Sequence, residues 1–163
     1  MVTVTDQLKL ELIVTNTSAS QNLSFENCLH TYFAVADIGA VSILGLKGAS
    51  YLDKVADFAR RTESSEAIQV SSEVDRVYVD SAGPVEILDS GNRRKIRVEK
   101  EGSASTVVWN PWIAKARQLP DLSDDEYQQM ICVESGNVGP NKITLPPRKS
   151  STLTVELSSM SLA

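Results

Sequence analysis

The chain has 163 residues, 42% of them apolar, with 21 acidic against 16 basic side chains and a formal net charge of −5. That is enough apolar material for a globular fold with a real core, and it excludes a disordered chain. Acids and bases are interspersed without a long block of one sign, so neither nucleic acid nor an anionic membrane is an expected partner. No run reaches the ~20 apolar residues of a membrane helix, and the opening MVTVTDQLKLE lacks the layout of a secretory signal, which makes a cytoplasmic location the default.

In chain order, Leu8, Leu10, Leu12 and Val14 alternate with Lys9, Glu11, Ile13 and Thr15, the period-two pattern of a strand with one buried face; Asp6-Gln7 before it can turn a hairpin. The same reading predicts strands near residues 25–35, 41–46, 74–79, 85–88, 95–99, 106–109, 131–134 and 153–157. Turn-forming stretches such as SAGP, DSGN, KEGS and SGNVGPN lie between them. DKVADFARRTESSEA reads as a loop, because Ser and Glu dominate its end. LSDDEYQQM reads as a short helix, with Ser123 as cap and Glu126 three residues later as in a capping box. Many short strands with regular turns predict an all-β sandwich or barrel, one domain over residues 1–163.

The single histidine, His30, sits inside the apolar, aromatic run NCLHTYF. An unpaired buried imidazole is costly, so His30 either hydrogen-bonds within a core or faces a cavity where its proton is used. Alternation puts His30 and Tyr32 on one face, and Leu29, Thr31 and Phe33 on the other. In ICVES, Ile131 and Val133 share a face while Cys132 and Glu134 share the opposite one. A carboxylate in so apolar a strand requires an arginine partner or a cavity. Asp75, at the start of DRVYV, forms either a surface pair with Arg76 or a second carboxylate of a site. VVWNPW is either a pocket wall or plain core. Cys28 and Cys132, about a hundred residues apart, read as buried thiols rather than a disulfide, and with one histidine they make no ligand spacing, so no metal is expected. NTS at 16 and NLS at 22 read as chance matches to a glycosylation pattern.

Five blocks in order, ENCLHTYFAVADI, VSILGLKGASYLDK, EVDRVY, STVVWNPW and DEYQQMICVESGN, resemble the hexose-6-phosphate mutarotases, or glucose-6-phosphate 1-epimerases, of the aldose 1-epimerase superfamily. The resemblance implies an antiparallel β-supersandwich of the galactose mutarotase-like kind and a hexose 6-phosphate substrate without a cofactor. It further implies His30 as general acid, Glu134 as general base, and Asp75 as a contact to the sugar. The blocks resemble the C-terminal part of the family's fold only. This implies an N-terminally truncated sandwich, without the family's upstream phosphate-holding arginines. Low activity, weak phosphate binding and self-association through open sheet edges are then expected. LPPRKSS departs from the family's glycine-containing turn, which leaves the geometry there open. The competing expectation is a non-catalytic carbohydrate-binding or interaction module on the same scaffold.

Overall fold

Period-two alternation becomes antiparallel pairing throughout the computed structural model, which describes residues 1–162. The strands are β1 (Val2–Val4), β2 (Leu8–Thr15), β3 (Leu23–Phe25), β4 (Asn27–Leu29), β5 (Tyr32–Ala34), β6 (Val41–Leu44), β7 (Ser50–Asp53) and β8 (Ala59–Thr62). They continue as β9 (Ala67–Gln69), β10 (Val74–Val79), β11 (Val85–Asp89), β12 (Arg94–Glu101), β13 (Ser105–Asn110), β14 (Met130–Asn137), β15 (Ile143–Leu145) and β16 (Ser150–Ser161). One sheet runs β1-β2-β16-β12-β11-β6-β9. The second runs β4-β14-β13-β10-β7-β8, with β5 also on β14, and β3 pairs with β15 apart from both.

The two large sheets share one core. Ile43, Ile87, Val98, Leu153 and Val155 of the first meet Phe33, Tyr78, Val108, Ile131 and Val133 of the second. The other face of the second sheet carries Val77, Val107 and Cys132, which are buried but stand outside that core cluster. β14, buried at all eight positions, reads as a central strand. Among the described residues no helix is long and apolar enough to cross a membrane.

Three local expectations are corrected. The strand foreseen over 25–35 is divided into β3, β4 and β5, with His30 and Thr31 outside regular pairing, because Thr31 turns its N–H back to the Leu29 carbonyl. The stretch 53–67 is more than a loop: a 3-10 turn at Lys54–Ala56 leads through Asp57 and Phe58, both at positive φ, into β8. β8 is an exposed edge strand held by its backbone, so its side chains need not alternate. The helix foreseen at 122–130 is a 3-10 turn over Glu126–Gln129, although Glu126 does accept from the Ser123 N–H at 3.1 Å as a capping box would. Among the described residues the one α-helix is a short turn, α1 (Trp112–Ala116), after Pro111, where proline's fixed φ is at no disadvantage.

Asn16, of the NTS match, is buried and donates its side-chain amide to the carbonyls of Gln21 (2.8 Å) and Leu145 (2.9 Å), which leaves it no room for a glycan. In LPPRKSS the left-handed position is taken by Arg148, at φ 60°. Cβ sterics disfavour that conformation by roughly 1–2 kcal/mol, partly offset against glycine's larger entropy loss. Arg148→Gly should therefore raise unfolding stability by up to about 1 kcal/mol in urea melts. By contrast, Ile87→Ala, at a fully buried position in the shared core, should lower it by about 2–5 kcal/mol. A destabilising Arg148→Gly would mean that the arginine side chain contributes more than its backbone costs.

Candidate active site

Register builds the site. β14 pairs with β13 so that Glu134 lies opposite Val107 and Cys132 opposite Trp109, and β13 pairs with β10 so that Trp109 lies opposite Asp75 and Val107 opposite Val77. On its other side β14 meets β4 and β5 in a single continued register, Ser135 with Leu29 and Cys132 with Tyr32. His30 thus falls directly across from Glu134. Since side chains alternate, Cys28, His30, Cys132, Glu134, Trp109, Val107, Asp75 and Val77 all project from the face that turns away from the core.

That face forms a cleft of about 420 Å³, within the usual range for small-molecule sites. Apolar Leu52, Val77 and Val107 line it together with His30, Asp75 and Glu134. The three residues expected from the sequence therefore meet in one place. His30 Nε2 lies 3.0 Å from Glu134 Oε1, the imidazole half exposed and the carboxylate only 6% exposed. The imidazole stacks on Tyr32 (centroids 4.9 Å apart, 19° between planes), and Trp109 meets both rings edge-on at 5.8 and 5.9 Å. His30 is thereby fixed from two sides while one edge stays open.

Of the alternatives left open by the sequence, neither the arginine partner for Glu134 nor the surface pair for Asp75 is realised. Arg76 points to the opposite face, where it donates to Glu63 at 3.0 Å and lies over the Tyr51 ring. Asp75 Oδ2 instead pairs with Lys54 Nζ at 2.8 Å, while its Oδ1 is buried with no hydrogen-bond partner among the described residues. Asp75 lines the cleft as a residue.

Two contributors were missed. Lys54 lay in a stretch read as loop. Cys28, read as packing, donates its S–H to Glu134 Oε2 at 3.2 Å. Burial first, and then the Glu134 charge, pushes the Cys28 thiol up to about 12, so it remains a donor at neutral pH. Gly136 makes this contact reachable: a Cβ there would lie 2.5 Å from the Asn27 carbonyl oxygen and 2.9 Å from the Cys28 sulfur. The alternation of Cys132 with Glu134 was a legible signal for a shared face, whereas nothing in the spacing showed that His30 would join them. Spacing in the sequence did not show that single donor atoms of His30, Cys132 and Glu134 all lie within 4.8 Å of one another.

Burial also raises Glu134 above the ordinary carboxylate range, helped by Asp75 and opposed by the Cys28 hydrogen bond, His30 and Lys54. A base with an elevated pKa is better matched to neutral pH than a solvated carboxylate.

The sequence pattern of the family described as aldose 1-epimerase matches residues 1–158. The chain belongs to the aldose 1-epimerase family. Over 133 residues it is 41% identical to a candidate glucose-6-phosphate 1-epimerase of Cenchrus ciliaris, covering 82% of this chain and 40% of that protein. Over 110 residues it is 37% identical to a candidate enzyme of the same name from Escherichia coli K12, covering 67% and 37% of the two chains. The crystal structure of a candidate mutarotase from Salmonella typhimurium superposes with a TM-score of 0.88 at 26% identity, over 98% of this chain and 52% of that one. The antiparallel sandwich is thus the galactose mutarotase-like fold. The chain spans about two fifths of the length of these curated relatives.

Two outcomes follow from the electrostatics. The folded state holds the Glu134 proton more tightly than the unfolded chain does. Glu134's contribution to stability is therefore full below the ordinary carboxylate range and is lost as pH rises through it to the raised folded value. Denaturant melts should show Glu134→Gln gaining on the native protein as pH rises from acid to neutral; the reverse trend would mean that pairing with His30 outweighs burial. With the Cys28 thiol at about 12 and Cys132 fully buried and pushed up by the same desolvation, native protein should react with iodoacetamide at pH 8 far more slowly than unfolded protein.

Proposed function

We propose that the cleft exchanges the α and β anomers of a hexose 6-phosphate by acid–base ring opening and reclosure. The observation that carries this reading is the His30–Glu134 pair at 3.0 Å, facing a cleft that Asp75 also lines. The reaction needs one group to remove the proton of the anomeric hydroxyl and another to protonate the ring oxygen, and both oxygens are bonded to the same carbon. A donor and an acceptor in hydrogen-bond contact with each other match that requirement once the sugar enters between them.

In this mechanism the Glu134 carboxylate takes the hydroxyl proton. The O–H electrons form the C1 carbonyl, the bond from C1 to the ring oxygen breaks, and the ring oxygen takes the proton carried by His30. Rotation about C1–C2 presents the other carbonyl face, and reversal of the same transfers closes the second anomer. Protons and electrons balance within the pair, so no cofactor enters. The Asp75 carboxylate accepts from a sugar hydroxyl, and its 2.8 Å ion pair with Lys54 orients it. Val77, Val107 and Trp109 supply an apolar floor and wall for the ring.

The lining contains one lysine against the carboxylates of Glu26, Asp75 and Glu134, and that lysine is already engaged. The phosphate therefore gains little from these residues, and these 163 residues alone should bind a sugar phosphate weakly and turn it over slowly.

Magnetisation-transfer NMR between the anomers of glucose 6-phosphate tests the assignment. His30→Asn and Glu134→Gln should each reduce the enzyme-dependent exchange rate by about 10²–10⁴-fold, the range for a positioned proton-transfer group. Asp75→Asn should raise KM more than it lowers kcat. Rates unchanged in either of the first two variants would remove the acid–base assignment. Saturable sugar binding without exchange in the native protein would identify a carbohydrate-binding module instead.

A further inference from the structure

The concave face holds more donor chemistry than anomer exchange uses. Cys132 and Glu134 stand two residues apart on β14 and project to the same side, and His30 is brought across from Glu134 by the pairing of β4 and β5. A nitrogen, a sulfur and an oxygen, one from each residue, lie within 4.8 Å of one another. Cys132 is fully buried beneath this group, whereas the imidazole is half exposed and gives access from the cleft.

We propose that His30, Cys132 and Glu134 form a binding site for a thiophilic divalent metal ion, with Zn²⁺ the expected occupant. Imidazole, thiolate and carboxylate are the donor types that Zn²⁺ takes at about 2.0–2.3 Å, and a thiolate disfavours Mg²⁺ and Ca²⁺. Three protein donors leave a fourth, tetrahedral position, which here opens to the cleft. Charge is compatible with the same occupant: with the imidazole neutral, the two positive charges of the cation are balanced by one thiolate and one carboxylate. On binding, the Cys132 thiol proton and the proton held between His30 and Glu134 both pass to solvent, and one lone pair each from the His30 nitrogen, the Cys132 sulfur and the Glu134 oxygen goes to the metal; no electron transfer is involved. Cys28 lies on the other oxygen of Glu134 and serves as a hydrogen-bond donor to the ligating carboxylate rather than as a ligand.

The consequence for catalysis rests on the proposed function. A metal on His30 and Glu134 occupies both proton-transfer groups, so Zn²⁺ should inhibit anomer exchange reversibly. The site itself does not depend on that reading, and spectroscopy separates the two.

Co²⁺ titrated into the intact, reduced protein should give the visible absorption of a tetrahedral ion together with a thiolate-to-cobalt charge-transfer band, saturating at one equivalent and displaced by Zn²⁺. Cys132→Ser should abolish the charge-transfer band and Cys28→Ser should keep it. His30→Asn, at a half-exposed position that tolerates change, should weaken Co²⁺ binding by more than about tenfold. No charge-transfer band in the native protein, or a band that survives Cys132→Ser, would overturn the proposal. Co²⁺ binding as described, with anomer exchange indifferent to saturating Zn²⁺, would uphold the metal site and count against His30 and Glu134 as the acid–base pair.

Discussion

A carboxylate placed in the middle of a strand buried at every position is the constraint around which this molecule is organised. Glu134 cannot be solvated where it stands, with a side chain only 6% exposed, so its neighbours must supply what water would have supplied. They do so from both ends: His30 meets one carboxylate oxygen and the Cys28 thiol the other. Neither is a strong compensating charge of the kind an arginine provides. Glu134 consequently remains above its ordinary range, which makes its carboxylate a stronger base than a solvated one.

Holding these groups together is a matter of sheet geometry. The pairing of β14 with β13 on one side and with β4 and β5 on the other sets His30, Glu134, Val107 and Val77 along one row across the sheet, and Tyr32, Cys132, Trp109 and Asp75 along the next. The opposite face of the same strands contributes Phe33, Ile131, Val133, Val108 and Tyr78 to the core, so the positions of the chemical groups are fixed by the packing behind them. Arg76 illustrates the separation. One residue from Asp75, it serves the other side of the sheet, where Glu63 is satisfied by Arg76, by the Tyr78 hydroxyl and by the Ser65 N–H at 3.0 Å each. That buried network ties the segment after β8 to β10 and so steadies the edge that carries Lys54.

Much of this was legible wherever alternation and burial coincide. Glu134 drew attention because a charged residue interrupts an apolar strand, and its sharing of a face with Cys132 follows from period two alone. His30 was conspicuous as the single histidine. What could not be read was register, since it depends on pairings between segments about a hundred residues apart. The closeness of His30 to Glu134 and the three-donor grouping with Cys132 both depend on it. Lys54 and β8 were missed for a different reason. An exposed edge strand is held by backbone hydrogen bonds and leaves no hydrophobic pattern, and its entry through Asp57 and Phe58 at positive φ has no glycine to announce it.

Because the chain has one histidine, its imidazole gives a single set of ring resonances, and the central claim can be read from them directly. If His30 and Glu134 are the pair that a sugar enters between, titration of isotope-labelled protein with glucose 6-phosphate should shift the His30 ring resonances saturably as its bond to Glu134 is exchanged for one to the sugar. Those shifts should follow the same binding curve as the anomer exchange rate. Exchange catalysed at sugar concentrations that leave the His30 resonances unmoved would contradict the account.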